Sequence, residues 1–115
     1  MKKQALTLAA LSLITSTSFA AALECSVSEV IAGSLFTQTV VVPENSTTFV
    51  TTTSKQTTGF IAFTSGQVVI NLYDVNEQKA KYVVTPLADL GQVMLTFAPE
   101  YDSSRTTTVL CKAQQ

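Results

Sequence analysis

Cys25 and Cys111 are the only cysteines in this 115-residue chain, and nearly everything that follows Ala20 lies between them. Two cysteines allow one pairing, so a disulfide here would tie the start of the domain to its end. On the chain-entropy model a loop of that length is worth roughly 4–5 kcal/mol, a large share of the net stability of a small domain. Any fold proposed for the chain must bring its two ends side by side.

Pairing requires an oxidising compartment, and the N-terminal segment points to one. Lys2 and Lys3 precede an apolar run from Ala5 to Phe19 diluted by Ser and Thr, and Ser18-Phe19-Ala20 places small residues on both sides of a cleavage site. This is the pattern of a bacterial secretory signal peptide over residues 1–20, with a second cleavage register as late as residue 22. The run is shorter than the ~20 residues that span a bilayer, so a retained membrane helix is not expected. Glu24 before Cys25 argues against a lipid anchor on that cysteine. An exported, periplasmic or secreted protein with one disulfide is expected, its residues 21–115 forming a single domain with no transmembrane segment.

Across that domain apolar residues recur with period two, and Val and Thr, stiff at χ1 and suited to a pleated surface, dominate. Turn signals divide the run into about eight strands: 24–31, 34–42, 47–53, 59–64, 67–74, 81–85, 92–98 and 105–112. Ala32-Gly33, Pro43-Glu44-Asn45-Ser46 and Ser65-Gly66 are the clearest turns. The connection from Pro86 to Gly91 has room for one helical turn. No connection is long enough for a helical crossover, so the sheet is expected to be antiparallel. The fold class is all-β: a small antiparallel domain, a meander barrel or a β-sandwich, with its termini joined by the disulfide. In an even-stranded meander the first and last strands meet antiparallel, as a cysteine near the start of one and another near the end of the other require. Parity agrees: Cys25 shares a face with Val27, and Cys111 with Val109 and Thr107.

The chemistry is sparse. The chain has no histidine, which removes Ser-His-Asp and Cys-His catalysis, most zinc sites and the usual near-neutral base. With both cysteines paired, no thiolate is left as nucleophile or metal ligand. No glycine-rich phosphate loop is present, and each of the four glycines reads as a turn or strand-edge residue. Seven Lys or Arg stand against eight Asp or Glu; loss of Lys2 and Lys3 leaves a formal charge of −3 and no basic patch for nucleic acid. An enzyme is therefore not expected, and no cofactor or metal is implied.

Two loop clusters remain. Asp74, Asn76 and Glu77 fall in one, and Glu100, Tyr101 and Asp102 in another. They are expected to be solvated loop residues, with partner contact or weak cation binding as the alternative use. Phe36, Phe49, Phe60, Phe63, Phe97 and Tyr82 lie on strand faces rich in aliphatics and are expected in the core; Tyr73 and Tyr101 are the expected exposed aromatics. Asn45-Ser46-Thr47 matches a glycosylation sequon, relevant only in a eukaryotic secretory route. The expected function is a non-enzymatic binding or interaction module of the cell envelope or exterior, engaging another protein, an envelope component or itself. A small barrel carrying an apolar molecule, and a secreted enzyme inhibitor, are the alternatives.

Overall fold

A computed structural model describes residues 22–87, 91–99 and 104–114. The expected signal segment lies outside these residues, as do Glu100, Tyr101 and Asp102. Eight strands are present: β1 Ala22–Ile31, β2 Ser34–Pro43, β3 Ser46–Thr51, β4 Thr57–Thr64, β5 Gln67–Asp74, β6 Lys79–Pro86, β7 Gln92–Phe97 and β8 Arg105–Ala113. They form two four-stranded antiparallel sheets, β2-β1-β8-β7 (sheet I) and β3-β4-β5-β6 (sheet II). Every ladder joins strands adjacent in sequence except β1–β8. In that ladder Cys25 is the register partner of Cys111, and the two form the expected disulfide, with Cα atoms 4.0 Å apart and both side chains fully buried.

The strand order around the perimeter is thus the simple meander read from the sequence, but the barrel is not closed. No ladder joins β2 to β3 or β6 to β7. At each corner a polar side chain on an inward-facing position crosses the gap instead. Gln38 of β2 donates from Nε2 to the Thr51 carbonyl at 2.8 Å, and Lys81 of β6 donates from Nζ to the Thr96 carbonyl at 2.9 Å. At both corners the neighbouring edge strands are thus linked by a side chain and not by a ladder, and the meander is a sandwich.

The turns follow their sequence signals. Ala32-Gly33 and Ser65-Gly66 both have two consecutive positive φ values (49° and 86°, 53° and 77°), the type I′ geometry whose twist matches a two-residue hairpin. After Pro86, the Gly91 N–H returns to the Leu87 carbonyl at 3.0 Å. One glycine is not at a turn or strand edge: Gly59 is inside β4, where a Cβ would lie 1.9 Å from the Asn71 carbonyl oxygen of β5. Only glycine permits that approach of the two backbones.

The interior has two chemistries. From the disulfide end to mid-height it is apolar: Leu23, Cys25, Val27, Val42, Ile61, Phe63, Val68, Ile70, Val109 and Cys111 are buried on facing strands. At the opposite end, below the β3–β4 and β5–β6 turns, lie the buried polar and charged residues Glu29, Thr52, Thr57, Asp74, Arg105 and Thr107. The expected aromatic core is largely absent. Phe63 and Phe97 are buried, whereas Phe49 and Tyr82 are among the most exposed side chains and Phe36 is more than a third exposed. The reason is parity. On β3 to β6 the aromatics other than Phe63 occupy the positions between the buried Val50, Ile61, Leu72 and the half-buried Val83, so they point outward. Phe36 faces inward, on a stretch of β2 that sheet II does not cover.

Candidate interaction face

Of the two loop clusters read from the sequence, the described residues contain one, and its first member is not a solvated acid. Asp74 is the last residue of β5, fully buried, with its side chain directed into the sandwich. Its Oδ1 accepts the backbone N–H groups of Asn76 at 2.8 Å and Glu77 at 3.2 Å, which fixes the β5–β6 turn. Its Oδ2 accepts from Arg105 Nη2 at 3.0 Å. Asn76 donates from Nδ2 to Gln56 Oε1 at 3.2 Å, so these residues tie the turn to the neighbouring β3–β4 loop. No group of three or more His, Cys, Asp or Glu with metal-binding geometry exists among the described residues.

Arg105 is the centre of this end of the molecule. It opens β8 in sheet I, and its side chain, 1 % exposed, crosses to sheet II. Nη1 donates to Thr57 Oγ1 of β4 at 2.8 Å and lies 3.9 Å from Glu29 Oε2 of β1. Glu29 in turn accepts from the Ser54 backbone N–H at 3.1 Å and the Ser54 hydroxyl at 2.5 Å. One guanidinium thus joins β1, β4, β5 and β8, with two acids to compensate its burial. The geometry is that of a cross-sheet bolt.

Burial would raise the pKa of Asp74, but the N–H groups of Glu77 and Asn76 and the Arg105 guanidinium hold the carboxyl below the ordinary carboxylate value. A carboxyl with a depressed folded-state pKa adds stability that is fully present above its unfolded value near 4 and is lost as pH falls through the lower, folded value. Urea midpoints measured from pH 7 to pH 2 are therefore expected to fall below about pH 4. Asp74→Asn should be less stable at pH 7 and show a shallower acid slope. An unchanged slope in that variant would assign the acid response to other groups.

The surface with contact chemistry is elsewhere, on the outer face of sheet II. Register aligns Phe49, Phe60, Asn71 and Tyr82 in one row across β3, β4, β5 and β6. The row on one side is Thr47, Ala62, Val69 and Val84, and on the other Thr51, Thr58, Tyr73 and Ala80. Phe49 and Phe60 meet edge to face, with ring centroids 6.4 Å apart. Phe49 is 79 % exposed, Tyr82 67 % and Val84 52 %. None of the outward positions of these four strands carries a charge. The lysines of β6, Lys79 and Lys81, lie on the other parity. Of the aromatics here, Tyr73 alone was expected at the surface. Phe49, Phe60 and Tyr82 were expected inside, although their parity, opposite to the aliphatic positions of the paired strands, is a signal the sequence does carry.

Compared with known proteins, the chain matches no family model, and neither its sequence nor its fold has a significant match among curated proteins or solved structures.

Proposed function

We propose that this protein is a non-enzymatic binding module of the cell envelope or exterior, and that it engages its partner through the outer face of sheet II. The observation that carries this reading is the uncharged aromatic row of Phe49, Phe60, Asn71 and Tyr82 across a four-stranded sheet. Contiguous exposed apolar surface is costly in water and marks interaction sites, and aromatic side chains contribute most to such contacts. Asn71 at the middle of the row offers an amide for orientation among apolar neighbours. The disulfide is consistent with an exported location. The carrier alternative draws less support, because inward positions are filled by Leu23, Ile61, Phe63 and Ile70 and, at the other end, by the Arg105 side chain.

The test is a comparison of immobilised wild-type domain with Phe49→Ser/Tyr82→Ser. Both residues are exposed, so the double variant should retain its fold and most of its stability. A partner recovered from envelope extracts should bind the variant at least about tenfold more weakly. Equal binding to both would place the contact on another surface.

A further inference from the structure

A sandwich with two open corners has four edge strands, and three of them carry features that discourage further pairing. β3 and β7 are six residues long. β6 carries Lys79 and Lys81. Short strands, lysines and proline are the usual means of blunting an edge. β2 has none of them along its length. It runs for ten residues, pairs with β1 residue for residue without a bulge, contains no charge, and meets its only proline at its last position. Leu35 is 66 % exposed, and Phe36 and Val41 are each more than a third exposed.

We propose that β2 is a self-association edge: two copies pair β2 to β2, antiparallel, about a two-fold axis centred on Gln38, joining their sheets I into one continuous sheet. A second copy is the favoured occupant because the strand is complementary to itself. About that centre Leu35 faces Val41 of the second copy on the outward side, and Phe36 faces Val40 of the second copy on the inward side. Thr37 meets Thr39 of the second copy, and Gln38 meets its own equivalent. The three large apolar side chains left exposed on β2 are each covered by another residue of the same strand, and no like charges are opposed. A two-fold contact closes on itself, so the product is a dimer and not a fibre. One strand pair covers less than the ~800 Å² per partner of a standard interface, which makes the dimer reversible and concentration-dependent. The aromatic face of sheet II stays free on both copies, so this inference and the proposed binding face stand or fall separately.

Sedimentation velocity of the oxidised domain over a wide concentration range should show a monomer–dimer equilibrium. Thr37→Lys/Thr39→Lys places a lysine opposite a lysine at both positions flanking the axis, and should weaken the dimer at least about tenfold while leaving the monomer folded, since both threonines are exposed. No cysteine is free, so a Cys introduced by Gln38→Cys is the sole thiol. It should form a disulfide-linked dimer more readily than Thr39→Cys. A wild-type protein that stays monomeric at every concentration overturns the proposal and leaves the edge to a strand of another protein. A dimer indifferent to the two lysines, or cross-linking equal at positions 38 and 39, overturns it by placing the contact elsewhere or in another register.

Discussion

Arg105→Met is expected to destabilise the domain by about 3–5 kcal/mol at pH 7, the cost of removing one member of a buried ionic set and leaving the others uncompensated. The guanidinium is buried against Thr57 Oγ1 and Asp74 Oδ2, with Glu29 at 3.9 Å, so its loss strands two carboxylates between the sheets. Methionine retains most of the aliphatic bulk, which makes the loss electrostatic more than a cavity effect. Two controls distinguish this cause from simple loss of packing. The deficit relative to wild type should shrink in acid, because protonation neutralises the stranded Asp74, which in the wild type the Arg105 guanidinium helps to keep ionised. The triple variant Arg105→Met/Glu29→Gln/Asp74→Asn should be more stable than the single one, since the amide at position 74 can still accept from the Asn76 and Glu77 N–H groups. Urea denaturation with the disulfide intact is the measurement; a single-variant deficit under about 1 kcal/mol would show that the bolt is dispensable.

That network illustrates where the sequence stops being legible. The parity that pairs Cys25 with Val27 continues one step to Glu29, and that of Cys111, Val109 and Thr107 continues one step to Arg105. Charged residues on a core-facing parity are visible without coordinates. Their partners are not, because Thr57 and Asp74 belong to the opposite sheet, and which strands face across a sandwich is set by how the sheets stack. Asp74 could be taken for a loop acid because it ends its strand and is followed by a polar turn. The strands themselves were readable within a few residues, since Val/Thr alternation and Gly- or Pro-marked turns act locally. Barrel and sandwich share one meander order and differ only in whether two corner ladders form, which local alternation and turn signals do not encode. The aromatic face is hidden for a simpler reason: β4 is apolar on both parities and β6 carries Lys79 and Lys81 on its core-facing one, so alternation within a single strand does not say which side faces the core, and parity becomes informative only once Phe49, Phe60 and Tyr82 are paired with Asn71 in one register row.

The second large effect expected is at the other end of the same strand pair. Cys25→Val/Cys111→Val should cost about 2–5 kcal/mol, the usual range for a native disulfide in a small exported domain, with the valines limiting any cavity between the sheets. The effect should be local as well as global. β1–β8 is the ladder that joins strands remote in sequence, while the other described ladders join strands consecutive in sequence, whose loop-closure cost is smaller. In hydrogen exchange the variant should therefore lose protection first in β1 and β8 and keep it in β4 and β5, whose ladders on both sides are to strands adjacent in sequence. Cys111 and Arg105 stand six positions apart on one extended strand, roughly 20 Å, and share no partner, so the disulfide and Arg105→Met deficits should add to within about 0.5 kcal/mol. Both act on one seam from its two ends: the disulfide by restricting the unfolded chain, Arg105 by joining sheet I to sheet II in the folded one. Protection lost uniformly over both sheets would mean that the seam is no weaker than the hairpins, and a combined deficit far from the sum would mean that its two fastenings are coupled through the β1–β8 ladder.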